Sequence, residues 1–166
     1  MAGLQPHRLP EVLVSKKYVL SVCPCCLFAS AILIASLVQS GSPAPQTYKG
    51  LEVSVSGVSR ATNVGLSDCP PGANTQRGVI KPGDTTVEFA TVKVDFKVLP
   101  AFTQAPLPKP TLVDESGKVY NTAQSFGEIG SAPSFSCSFS FRVPKGTKVT
   151  KFVIDTASFD IASLRQ

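Results

Sequence analysis

Tryptophan is absent from these 166 residues, and histidine occurs once, as His7. Everything after the first few residues therefore lacks imidazole. That excludes Ser-His-Asp and Cys-His chemistry within the part of the chain beyond His7, and imidazole metal sites with it. Charged residues are also scarce, at 16% against about 25% in an average soluble protein. Lys and Arg number 16 and Asp and Glu 11, a net charge of +5. No basic run is interleaved with aromatics, so the phosphate-neutralising face that nucleic-acid binding needs is missing. No nucleic-acid partner and no cofactor is expected.

Part of the charge deficit is local. Residues 18–38, YVLSVCPCCLFASAILIASLV, carry no charge at all. About 20 apolar residues suffice to cross a bilayer as a helix. Lys16 and Lys17 stand directly before the run, and no charge follows until Lys49. The positive-inside rule then keeps 1–17 as a cytoplasmic tail and exports the rest. Residues 18–38 act as a transmembrane anchor or as a signal segment. Val38 and Ser40 suit the small positions before a cut, whereas the length of the run favours a retained anchor. The expected location is the cell envelope, as an N-in/C-out single-pass protein, or outside the cell if the chain is cut near Ser40.

Cys23, Cys25 and Cys26 surround Pro24 inside this run. A closed thiolate site takes about four ligands, and no His or second Cys pair is near. They read as small apolar residues that a bilayer accepts, and no metal site is expected.

Beyond the run, proline and glycine punctuate short apolar stretches, the pattern of turns between strands. Residues 39–50 read as a flexible Ser/Pro/Gly linker. Leu51, Val53 and Val55 alternate with polar residues, as in a half-buried strand. CPPG at 69–72 and KPGD at 81–84 are turn signals. From Thr85 to Val98 the apolar residues occupy two phases: Val87 and Phe89, then Val92, Val94, Phe96 and Val98. A β-bulge near Ala90–Thr91 would bring both sets to one face.

Four prolines in residues 99–110 exclude a central strand there. Residues 111–121 read as a hairpin turning at Ser116–Gly117, with Asp114 and Glu115 as solvated acids at its tip. In residues 134–143, Phe135, Cys137, Phe139, Phe141 and Val143 alternate strictly with polar residues, the clearest strand of the chain. Residues 149–155 and 157–161 close the pattern. About seven strands are expected, packed as an all-β, antiparallel two-sheet sandwich over 51–166 and preceded by one N-terminal hydrophobic helix.

The stretch 112–154 resembles a family of bacterial extracytoplasmic immunoglobulin-like domains of unknown function, related in structure to secreted immunogenic antigens of mycobacteria. Val92–Val98, Leu112–Tyr120 and Gly130–Pro144 match its strand, hairpin and strand motifs. The proline-rich 99–110 departs from the polar turn usual there. The resemblance implies an immunoglobulin-like sandwich on a signal-bearing or membrane-tethered chain. Its motifs are core and turn positions and imply no site.

Only Cys69 and Cys137 lie beyond the hydrophobic run. An even pair in an oxidising compartment points to a disulfide, against the alternative of two buried thiols. Glu88, Asp95, Asp114 and Glu128 are the candidates for carboxylate chemistry, but they sit in polar strand phases or turns, and no catalytic residue is assigned. The expected function is a non-catalytic module that binds or scaffolds at the envelope. Its partners would be the membrane, through 18–38 if uncleaved, and an envelope protein or glycan. A carboxylate-dependent hydrolase and a carrier of a small apolar ligand are the alternatives.

Overall fold

The computed structural model describes residues 41–72, 78–81, 83–164 and 166, and every regular element among them is a β-strand. In chain order these are β1 (Gln46–Tyr48), β2 (Leu51–Ala61), β3 (Val64–Leu66), β4 (Gly78–Ile80), β5 (Val87–Val98), β6 (Thr111–Asp114), β7 (Val119–Asn121), β8 (Ser134–Pro144), β9 (Val149–Ile154) and β10 (Ala157–Asp160). The hydrophobic helix expected over 18–38, with His7, Cys23, Cys25, Cys26 and Ser40, lies outside the described residues. Among the described residues no helix is long and apolar enough to cross a membrane.

One antiparallel sheet runs β1-β2-β5-β8 and a second runs β10-β9-β6-β7, while β3 and β4 pair as a separate ribbon. The seven strands read from the sequence are all present. Three more, β1, β3 and β4, are three residues each, as β7 is, too short for periodicity alone to register. β7 is marked in the sequence by the Ser116–Gly117 turn before it.

The linker assignment of 39–50 is corrected at its end. Gln46–Tyr48 pairs with Leu51–Val53 around a Lys49–Gly50 turn whose φ angles, 47° and 77°, are both positive. That is the geometry of a type I′ hairpin. The turn brings Tyr48 into the core, where its hydroxyl donates to Asp155 Oδ2 at 2.7 Å and ties β1 to the second sheet.

The interior follows from alternation. Val53, Phe96 and Phe135 stand side by side across β2, β5 and β8, as do Val55, Val94 and Cys137, then Val58, Val92 and Phe139. The second sheet meets them with Leu112, Phe152, Ile154 and Phe159, all buried. Phe152 is the hub, with ring centroids 5.9 Å from Phe139 and 6.2 Å from Phe141. Each such buried side chain contributes about 1.5–3 kcal/mol of transfer free energy.

The bulge expected at Ala90–Thr91 is absent. β5 pairs with β8 without interruption from Val87↔Pro144 to Lys97↔Ser134. The irregularity is on the neighbouring strand, between Val55 and Gly57 of β2. Phe89 therefore stays on the outer face of the first sheet. It is nevertheless only 5% exposed, with Leu66 and Ala123, from outside its sheet, lining the same hollow.

Candidate functional site

Cys69 and Cys137 are joined in a disulfide with Cα atoms 5.5 Å apart. Cys137 is on the inner face of β8 and Cys69 lies in the connection between β3 and β4. The Cys69 N–H donates to Ser125 O at 3.0 Å, and Gly127 N–H donates to Cys69 O at 2.7 Å. The bridge thus fastens two irregular segments beside β8, the edge strand of its sheet. Gln124 completes the seal. Its side-chain amide donates to Ser67 O and Ser138 O and accepts from Ser140 N–H at 2.7 Å. These bonds satisfy backbone groups that an open edge would leave bare.

The four candidate carboxylates do not gather as a group. Glu88 pairs with Arg60 at 3.4 Å and accepts from Gly146 N–H. Asp95, on the outer face, accepts from Ser136 Oγ, which holds its pKa below the usual range. Glu128 stands beside Gln104–Leu107 at the rim of an open groove of about 380 Å³.

Asp114 corrects the expectation of a solvated turn acid. It is buried and accepts from Ser116 N–H at 2.9 Å, Ser116 Oγ at 2.6 Å, Lys118 N–H at 3.0 Å and Tyr120 Oη at 2.9 Å. The Ser116 hydroxyl is foremost among the donors that lower its pKa to about 2. Glu115 does remain exposed, 4.0 Å from Lys148. Among the described residues no three His, Cys, Asp or Glu cluster as metal ligands.

The outer face of the first sheet is read directly from its register. Across β2, β5 and β8 its rows are Glu52–Lys97–Ser134, Ser54–Asp95–Ser136, Gly57–Lys93–Ser138, Ser59–Thr91–Ser140 and Ala61–Phe89–Arg142. Four rows are polar and rich in hydroxyls. The fifth is not: Phe89 is flanked by a methyl group and a guanidinium. At that corner a hollow of about 210 Å³ opens, lined by Leu66, Lys81, Phe89, Asn121, Ala123, Ser140 and Arg142.

Leu66, Phe89 and Ala123 give the hollow its apolar surface, and the exposed Lys81 and Arg142 stand on it, with no acid among the described lining residues. Arg142 does act on one carboxylate outside the lining, Asp84. Its pKa is lowered first by the Thr86 backbone N–H and hydroxyl, with Arg142 and Lys145 contributing less. Sequence reading missed this corner. Its one signal in the sequence is the phase of Val87 and Phe89, which a bulge would equally explain.

No known protein family matches the chain, and no curated protein matches it. Among solved structures, an uncharacterized β-sandwich protein from Clostridium difficile 630 is similar at a TM-score of 0.44 and 12% identity, over 72% of this chain and 89% of that one.

Proposed function

We propose that the chain is an exported, non-catalytic β-sandwich module that binds at the cell envelope, tethered by residues 18–38 or released by a cut near Ser40. The observation that carries the binding reading is the hollow around Phe89, an apolar patch with two cations on the outer face of the first sheet. Ligand sites commonly combine apolar walls with a few convergent polar groups. The inner faces are filled by Phe139, Phe141, Phe152 and Phe159, each 0% exposed. That filling favours binding on the exterior over a carrier cavity between the sheets.

Export is supported by Lys16 and Lys17 before an uncharged run, and by the bonded Cys69–Cys137 pair, which suits an oxidising compartment. The hydrogen bonds held by Glu88, Asp95 and Asp114 support structural roles for these acids over hydrolysis.

We further propose the immunoglobulin-like class. Numbering in chain order the seven strands that the sequence pattern marks, the sheets read 1-2-5 and 7-6-3-4, with β1 added beside strand 1. Immunoglobulin constant domains split their strands as A-B-E-D and C-F-G. The order here corresponds, with the fourth strand moved beside the third. The disulfide differs from the antibody B–F bridge, since it joins the connection between strands 1 and 2 to strand 5.

A C-terminal phosphatase reporter that folds only outside the cytoplasm tests export. Activity in intact cells is expected, and its loss when Lys16 and Lys17 are replaced by Glu. An inactive reporter on a stably expressed fusion contradicts the proposal.

A further inference from the structure

The hollow at Phe89 has a chemistry more specific than a generic binding surface. Its lining comes from four separate places: the β3–β4 ribbon and its exit (Leu66, Lys81), β5 (Phe89), β8 (Ser140, Arg142) and the segment leaving β7 (Asn121, Ala123). Ser140 is already committed, its hydroxyl 2.9 Å from Thr91 Oγ1. Among the described residues Lys81, Arg142 and Asn121 make no side-chain hydrogen bond and no ion pair. Two cations and one amide are thus available to a ligand beside a buried aromatic ring, Arg142 having only a minor charge attraction to Asp84.

We infer that this hollow binds a small carboxylate with an apolar body, such as an aryl or short branched aliphatic acid. The inference rests on the hollow being the binding site of the proposed module, and it names the ligand class. The carboxylate would lie between the Arg142 guanidinium, whose fork matches its two oxygens, and the Lys81 ammonium. The apolar body would lie against Phe89, Leu66 and Ala123. A bare phosphate would satisfy the cations and leave that apolar surface in water. A neutral apolar molecule would leave the cations unused. The size, about 210 Å³, suits one ring or one branched chain and not an extended polymer.

The test is titration of the full chain in detergent micelles, followed by the Asn121 side-chain amide and the Arg142 Nε–H resonances. Benzoate is the probe, benzamide its neutral match and inorganic phosphate the bare anion, with empty micelles correcting for partition. Saturable shifts with benzoate are expected at a Kd on the order of 1 mM, with benzamide and phosphate each about tenfold weaker. Arg142→Gln and Lys81→Gln, both at exposed positions, each weaken benzoate binding about fivefold as read at Asn121. Unchanged β9 amide resonances in the variants establish that the fold is kept.

Equal binding of benzamide overturns the carboxylate inference while leaving the hollow as a neutral binding site. Equal binding of phosphate overturns the apolar part. No saturable shift with any probe overturns the inference and removes the hollow from the binding reading. The export reading stands or falls separately, on the reporter.

Discussion

Tyr120 donates its hydroxyl to Asp114 Oδ2 at 2.9 Å across the β6–β7 hairpin, while Oδ1 gathers Ser116 and Lys118. A carboxylate with this many donors favours its ionised form, and its pKa falls to about 2 from about 3.9 in an unfolded chain. A folded value below the unfolded one means stabilisation that is present above the unfolded value and lost as pH falls through the folded one. Wild-type protein should therefore lose stability between about pH 4 and pH 2. Asp114→Asn should be less stable at neutral pH and show a flatter acid limb. Thermal melts across that range check this. Acid limbs of equal slope would refute the role given to Asp114. Some slope persists in the variant, because the Asp84 and Asp95 pKa values are lowered as well.

The hairpin also shows where sequence reading stopped. Its strands and turn were legible, because Leu112 and Tyr120 flank a Ser-Gly pair. The burial of Asp114 was not, since it depends on the donors that the folded turn aims inward. β8 was legible in full, because five inward residues alternate with polar ones. Phe89 is legible in the sequence only as an anomaly of phase. A β5 residue on the wrong phase is buried either by a bulge or by chain crossing the outer face, and period alone cannot choose between them. Gln124 left no signal at all. A lone glutamine in a polar stretch reads as surface until Ser138 and Ser140 are found opposite it.

Gln124 yields the second prediction. It is 2% exposed, and truncation strands the Ser140 N–H and the Ser138 carbonyl beside β8. Gln124→Ala should cost about 1–3 kcal/mol in chemical denaturation. It should also raise aggregation, since the edge of β8 is then less well covered. A cost below about 0.5 kcal/mol would mean that water replaces the side chain without penalty.

Gly50 and Gly57 make a matched pair for backbone effects. At Gly50, φ is +77° and an added Cβ would lie 2.5 Å from the Phe102 Cα. Gly50→Ala should destabilise by about 2 kcal/mol or more. At Gly57 an added Cβ meets nothing within 4 Å. Gly57→Ala should be neutral or stabilising by up to about 1 kcal/mol. Denaturant midpoints for the two variants decide it, and a Gly50 variant as stable as the Gly57 variant contradicts the packing of the Lys49–Gly50 turn on Phe102.

The disulfide should contribute strongly because the loop it closes is long. With a sequence separation of 68, the chain-entropy estimate is about 4 kcal/mol. Cys69→Ser with Cys137→Ser should lower unfolding stability by an amount of this order. A loss under about 1 kcal/mol would show that the sheets hold the Cys69 segment without the bridge.

The central claim is that the β-sandwich lies outside the cytoplasm, and the redox state of Cys69 and Cys137 in intact cells tests it most directly. Cells are quenched in acid, alkylated without reductant, and the peptides containing the two residues are mapped by mass. The account predicts that these peptides are recovered linked to each other and take up alkylating agent only after reduction. Recovery of both as free alkylated thiols from freshly quenched cells would contradict it.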